Sequence, residues 1–325
     1  MFNRIPTVLR SQEIIDKSFL KASKITEPYH FKLEDKIRKE IIDRVSTIEA
    51  ITCGHLNKIV KKFPSIWNVH PFYRELVDLL FDIDAYKLSL GNVNWASKRI
   101  VELSTDIIGR LKRTREATRL TKLMNEYYGR YSSMLKAIDK DLSFLGKCRD
   151  EMRKIPDIDP DMHTFIIAGM PNVGKSSLLG RITGNVVRVA PYPFTTQNIS
   201  VGYTLIGNER IQLIDTPGIL DRPMKDRNQM EMKAVLALRH IKGIIIFLLD
   251  PSGHAGYSLE QQRLLLHEVS EILSERVIPV QAKSDLTEER VCDIAVSAST
   301  GQGIEDLKHL MEEFLDGEVH TQEGN

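Results

Sequence analysis

Residues Gly169-Met170-Pro171-Asn172-Val173-Gly174-Lys175-Ser176 read G-x-x-x-x-G-K-S, the spacing of a phosphate-binding P-loop. His163-Thr164-Phe165-Ile166-Ile167-Ala168 precedes it as a short apolar, β-branched run, which predicts a buried strand. Ser177-Leu178-Leu179-Gly180-Arg181-Ile182 follows and predicts a helix. Strand, glycine-rich loop and helix form the context in which backbone N–H groups can curl around a phosphate at a helix N-terminus. In that geometry Lys175 reaches β- and γ-phosphate oxygens, and the Ser176 hydroxyl is an Mg²⁺ ligand.

The remaining strand signals alternate with helix signals, and this predicts a doubly wound, mostly parallel α/β sheet over residues 163–317. Val189–Thr196 holds two prolines and two threonines and reads as a loop. Strands are expected at about 199–205 and 210–214, joined by a Gly207-Asn208 turn. The second of these runs into Asp215-Thr216-Pro217-Gly218. An acid at a strand end facing the P-loop suits Mg²⁺ held through water, and the Gly218 N–H can meet a γ-phosphate. Further strands are expected at 243–249, 277–281 and 292–296, with helices at 229–240, to 273, and at 304–315. Residues 318–325 read as a tail.

The first half carries no strand pattern. It predicts an all-α antiparallel bundle over residues 1–155, followed by a proline-containing linker at 156–162. A helix is expected from Ser11 to about Lys24, with Ile14, Ile15, Phe19 and Leu20 on one side, and Pro28 marks a break. A long helix follows from Leu33 to Phe63, with Ile37, Ile41, Val45, Ile48 and Ile51 on one face. Pro71 opens the next, which carries Phe72, Leu76, Leu79, Leu80 and Ile83. Gly91-Asn92-Val93-Asn94 reads as a turn, and helices over 95–128 and 131–154 complete the half.

Net charge divides along the same line. Residues 1–150 hold 28 Lys/Arg against 19 Asp/Glu, and residues 151–325 hold 17 against 25. At about 100° per residue, Lys112, Arg115, Arg119 and Lys122 fall within about 80° of one another on a continuous helix. This basic stripe is either a solvated face or an RNA phosphate contact. Tyr127, Tyr128 and Tyr131 lie nearby and read as packing residues. Cys53, Cys148 and Cys292 are scattered and suit free thiols in a reducing cytosol. No run of 18 apolar residues predicts a membrane span, and the N-terminus lacks the apolar core of a signal peptide.

The wording Asn172-Val173-Gly174-Lys175-Ser176-Ser177 and Tyr192-Pro193-Phe194-Thr195-Thr196 resembles the Obg-like branch of translation-factor-class GTPases. Three further stretches are similar to the Nog family, the nucleolar GTP-binding protein 1 type. They are His70-Pro71-Phe72-Tyr73 with Tyr86-Lys87-Leu88-Ser89-Leu90-Gly91, Asp215-Thr216-Pro217-Gly218-Ile219-Leu220-Asp221, and Gly256-Tyr257. The resemblance covers nearly the whole chain and implies a compact, archaeal-type form without the long eukaryotic extension. It implies a P-loop GTPase domain that hydrolyses GTP to GDP as a switch in large ribosomal subunit assembly, with the basic bundle on ribosomal RNA. Ser176 and Thr196 would bind Mg²⁺ directly, Thr195 being the other candidate for the second position, with Asp215 acting through water. Lys175, Thr196 and Gly218 would form the catalytic set. Asn172, Val173, Gly174, Lys175, Ser176 and Ser177 would cradle phosphates. Lys283 and Asp285 would read guanine, and Ser297-Ala298 would offer a backbone N–H to its O6. Asn172 either helps hold K⁺, as in related GTPases, or simply forms the turn.

Two positions depart from the family pattern. Ala282 stands where the guanine motif Asn-Lys-x-Asp has Asn, which predicts weaker base binding. Ile219 stands where Ras-like enzymes keep a water-orienting Gln, which predicts slow intrinsic hydrolysis. Two other readings stay open on these grounds, a nucleotide-binding scaffold for RNA or protein and an ATPase.

Overall fold

A computed structural model describes residues 2–27, 32–193, 198–273 and 277–322. The chain forms two compact units. One comprises residues 1–68 and 81–153, and the other residues 69–80 and 154–325. In chain order the helical part runs Ser11–Ser23 (α1), Leu33–Lys62 (α2), Pro71–Leu80 (α3), Ile83–Arg113 (α4), Ala117–Ala137 (α5) and Asp139–Met152 (α6). The first unit is the expected helical bundle, with α2 packed along α4 and α1, and α4 against α5 and α6. Its centre is aromatic and hydroxylic. Tyr127 and Tyr131, one turn apart on α5, are fully buried and stacked at 5.8 Å. The Tyr131 hydroxyl meets Ser18 Oγ at 2.9 Å and Thr52 Oγ1 at 2.7 Å. These two tyrosines are core, in keeping with their reading as packing residues.

Four expectations fail here. Gly91–Asn94 is no turn but lies inside α4. The buried face of Tyr86, Val93, Ala96 and Ile100 continues through it, and that burial outweighs the roughly 1 kcal/mol that a helical glycine costs relative to alanine. The helix expected over 95–128 is instead two helices, broken at residues 114–116. Thr114 is extended, and its carbonyl accepts from Arg38 Nε at 3.0 Å. The second of these, α5, then runs past Tyr128 to Ala137, and the helix expected over 131–154 is likewise broken, at Ile138 between α5 and α6. A smaller failure is Leu20, which periodicity grouped with Ile14 and Ile15 but which stands 61% exposed. Pro28 lies outside the described residues.

The break at 114–116 removes the geometric premise of the basic stripe. Lys112 ends α4, Arg115 lies in the connection, and Arg119 and Lys122 begin α5. All four are exposed, but they surround a corner rather than lining one helix.

In the second unit the elements are Thr164–Ala168 (β1), Lys175–Thr183 (α7), Val187–Pro191 (β2), Asn198–Ile206 (β3), Glu209–Asp215 (β4), Gln229–Ala237 (α8), Gly243–Leu249 (β5), Leu259–Leu273 (α9), Val277–Gln281 (β6), Ile294–Ala295 (β7) and Ile304–Gln322 (α10). The sheet order is β2-β3-β4-β1-β5-β6-β7. The β4-β1-β5-β6-β7 stretch is parallel, while β2 and β3 pair antiparallel. β1 and β5 are buried almost throughout, as parallel strands covered on both faces must be. The chain leaves β1 first toward β4 and later toward β5, so the C-terminal end of β1 is a topological switch point, where open α/β sheets bind ligands.

Residues 189–191, expected in a loop, belong to β2. This is an edge strand, where a terminal proline leaves the ladder intact. α10 continues past Leu315 to Gln322, into the expected tail. α3 packs on α8, so this helix of the first half is built into the α/β unit. The 156–162 stretch is tied down there too: Ile158 N donates to the Tyr73 hydroxyl at 3.1 Å, and Asp159 N to Gln212 Oε1 at 3.1 Å.

Candidate nucleotide-binding site

The P-loop joins β1 to α7 at the switch point. Gly169 has φ +136°, and a Cβ there would stand 2.7 Å from the Leu248 carbonyl oxygen of the neighbouring strand. Only glycine fits so close a backbone approach. Asn172 adopts φ +64° and is exposed. Val173 is fully buried and anchors the loop, and Ser177 is exposed in the first turn of α7. Lys175 is buried, with Nζ donating to the Gly169 and Met170 carbonyls at 2.7 and 2.9 Å. Burial lowers its pKa, while Asp221 and Asp215 act in the opposite direction. The lysine is thus a desolvated cation held by neutral carbonyls, poised for an anionic ligand.

Asp215 ends β4, fully buried, and accepts a short hydrogen bond from Ser176 Oγ on Oδ2. Its Oδ1 is buried with no partner among the described residues. Burial raises the pKa of this carboxyl, against the hydrogen bond from Ser176 and the charge of Lys175. An orphaned carboxylate oxygen beside a serine hydroxyl is a hard, oxygen-only donor set, and it fits Mg²⁺ completed by phosphate oxygens and water. Among the described residues no cluster of three or more His, Cys, Asp or Glu forms a self-sufficient metal site. Thr195 and Thr196 lie outside the described residues.

Gly218 follows in the loop after β4. Its N–H donates to Asp221 Oδ2 at 2.6 Å, and its carbonyl accepts from Arg227 Nη1 at 3.3 Å. Ile219 is fully buried, so its side chain is packing rather than chemistry.

The residues expected to read the base gather at the ends of β6 and β7. Lys283 takes φ +53° and donates from Nζ to Asp250 Oδ2 at 2.7 Å. Asp250 also accepts from Ser252 N and Ala255 N, each at 2.9 Å. Burial works to raise the Asp250 pKa, but the Lys283 and Ser252 hydrogen bonds outweigh it and leave the carboxyl below its ordinary range. Asp285 is exposed and accepts from Ser299 Oγ at 3.2 Å. Its pKa is lowered, first by a hydrogen bond from Ser297. Ser284 N donates to Val296 O at 3.1 Å and Val296 N to Gln281 O at 2.8 Å, which laces the 283–285 loop to the 297–298 loop. Ser297 N is engaged with Gln302 O at 2.9 Å. Ala282 is buried at the end of β6.

Lys175, Ser176, Asp215 and Gly218 therefore converge around the end of β1, and Lys283, Asp285, Ser297 and Ala298 form a second cluster at the ends of β6 and β7 in the same parallel array. Two carboxylates to which sequence reasoning gave no role, Asp221 and Asp250, are central to these clusters. Asp250 carries the same signal as Asp215, an acid directly after a buried strand.

Fold and site together define a P-loop GTP-binding protein. Residues 2–159 match the family model described as NOG1 N-terminal helical domain, and residues 164–283 the model described as 50S ribosome-binding GTPase. The uncharacterized protein MJ1408 of Methanocaldococcus jannaschii is 35% identical over 291 residues, covering 89% of this chain and 82% of that one. Nucleolar GTP-binding protein 1 of Encephalitozoon cuniculi is 36% identical over 323 residues, 99% of this chain and 59% of that one. The Saccharomyces cerevisiae protein of the same name is 33% identical over 287 residues, 87% of this chain and 44% of that one. The chain belongs to the nucleolar GTP-binding protein 1 family, and it spans about half the length of these eukaryotic relatives. Among the described residues no helix is long and apolar enough to cross a membrane.

Proposed function

We propose that the chain binds GTP, hydrolyses it slowly to GDP and phosphate, and acts as a switch in large ribosomal subunit assembly. The observation that carries this reading is the pairing of a buried Lys175, its Nζ donating to two P-loop carbonyls, with an Asp285 cluster at the ends of β6 and β7. Lys175 and the loop N–H groups hold phosphates. Ser176 and Thr196 would hold Mg²⁺, with Asp215 acting through water, and the ion would supply positive charge to the phosphates. Gly218 N–H meets the γ-phosphate. The Lys283 stem, fixed by Asp250, stacks on guanine, Asp285 accepts from its N1 and N2 groups, and Ala298 N–H donates to O6, since Ser297 N–H is already engaged. A buried Ile219 cannot orient water, so turnover is slow. Asn172, exposed with φ +64°, either helps hold K⁺ or simply forms the turn, and equal turnover in Na⁺ and K⁺ would remove the first role.

Titration with fluorescent GDP and ADP in Mg²⁺ tests the site. GDP is expected to bind and ADP not. Ala282→Asn restores an amide to the base edge and is expected to tighten GDP by about tenfold, the worth of one hydrogen bond to a polar ligand edge. A parent chain that binds neither nucleotide ends the switch reading.

The RNA side of the proposal rests on Lys112, Arg115, Arg119 and Lys122 around the α4–α5 corner. Replacing all four by Ala is expected to weaken binding to large-subunit ribosomal RNA and to flatten the slope of log affinity against log salt by about 3. An unchanged slope returns these residues to a solvated corner. Buried Ile219 also favours the scaffold reading, in which RNA binding ignores whether GTP or GDP is present; a nucleotide-dependent RNA affinity decides against it.

A further inference from the structure

The geometry points to Asp221 as a built-in competitor of the γ-phosphate, which sets the chain's preference for GDP over GTP. The inference rests on the nucleotide site proposed above. Asp221 is 6% exposed. Its Oδ2 accepts the Gly218 N–H at 2.6 Å, the donor that a terminal phosphate needs. Met170 and Pro171 of the P-loop line the same cavity of about 570 Å³ as Gly218 and Asp221, so the 218–221 turn lies beside the P-loop. Lys175 feels its charge, together with that of Asp215. The side chain thus presents an anionic oxygen to two groups that would otherwise serve the γ-phosphate. The next peptide unit is held as well, its Gly218 carbonyl accepting from Arg227 Nη1 at 3.3 Å. Two anions cannot share one N–H and one ammonium without repulsion. GTP must displace Asp221, whereas GDP leaves it in place.

A plainer role is closure of the 218–221 turn, as Asp side chains commonly do. A turn role affects both nucleotides alike; competition affects only the triphosphate.

The decisive experiment compares affinities for fluorescent GDP and a non-hydrolysable GTP analogue with a β,γ-imido bridge, on the full chain in Mg²⁺. Asp221→Asn keeps the shape and removes the charge, and Asp221→Ala removes the acceptor as well. Both are expected to tighten the triphosphate analogue by about tenfold or more, the range for a charge-assisted hydrogen bond. GDP affinity is expected to stay within about twofold. A GDP-to-triphosphate ratio unchanged in both variants overturns the inference and leaves the nucleotide site standing. Should the variants fold poorly, the parent is read at Asp221 itself: its side-chain carboxyl carbon resonance is expected to shift with the triphosphate analogue, as the carboxylate leaves Gly218 N–H, and to stay in place with GDP, and a resonance unmoved by the analogue overturns the inference. A parent that binds neither nucleotide removes the underlying site instead.

Discussion

Asp285→Asn is expected to abolish GDP binding and to create binding of xanthosine diphosphate. Asp285 is exposed, and its pKa is held below the ordinary range, first by the Ser297 hydrogen bond, so it is ionised at neutral pH. An ionised carboxylate is an acceptor only, and the N1–H and N2–H₂ edge of guanine is a donor only. Asparagine turns one acceptor into an NH₂ donor, which opposes the guanine donors and matches the C2 carbonyl of xanthine. Sites built around such a bond reject the mismatched partner by about 10³-fold or more. The effect should be confined to the base, because Lys283 is fixed separately by Asp250 and the phosphates are held at the end of β1. The measurement is a pair of titrations, GDP and xanthosine diphosphate, on parent and variant. Retained GDP affinity would place the base elsewhere. Because the pKa of Asp285 is depressed, its acceptor capacity is present above the ordinary carboxylate range and persists as pH falls, until the lowered pKa is reached. GDP affinity should therefore be flat from neutral pH into the mildly acid range.

The phosphate end of this site is legible because its chemistry requires fixed spacing. Gly169, Gly174, Lys175 and Ser176 serve one short loop, and Asp215 follows a strand whose apolar run is unmistakable. What escapes the sequence is whatever depends on local tertiary choice. Gly91–Asn94 looks like a turn, yet the buried stripe from Tyr86 to Ile100 holds it helical. Residues 114–116 look helical, yet the Arg38 guanidinium takes the Thr114 carbonyl and the chain turns. No periodicity assigns α3 to the α/β unit, because its apolar face would suit a bundle equally well; only packing on α8 places it. Asp221 hides for a related reason. Its role follows from a side chain folding back three residues onto Gly218 N–H, and a sequence shows an acid in a polar loop without showing where its oxygen points.

Lys175→Met should separate function from folding more cleanly than any other change in this chain. GTP hydrolysis is expected to fall at least about 100-fold, the cost of removing a preorganised charge from a developing anion. The melting temperature of the nucleotide-free chain is expected to move by less than about 3 °C. Two opposing contributions lead to that small shift. Burial lowers the Lys175 pKa from 10.5, so the folded chain holds this proton less tightly than the unfolded chain. The resulting penalty is fully present below the folded pKa and is relieved as pH rises toward the unfolded value. Methionine keeps the stem and removes the penalty. It also strips the Gly169 and Met170 carbonyls of their 2.7 and 2.9 Å donor, and each of these effects is worth about 1–3 kcal/mol. Thermal melts read alongside phosphate release distinguish the cases. A steep fall in melting temperature makes Lys175 a structural linchpin of the loop, while hydrolysis that survives the change means that phosphate is bound elsewhere. Near-constant stability with lost turnover identifies a charge kept desolvated for its ligand, a cost that only phosphate binding explains.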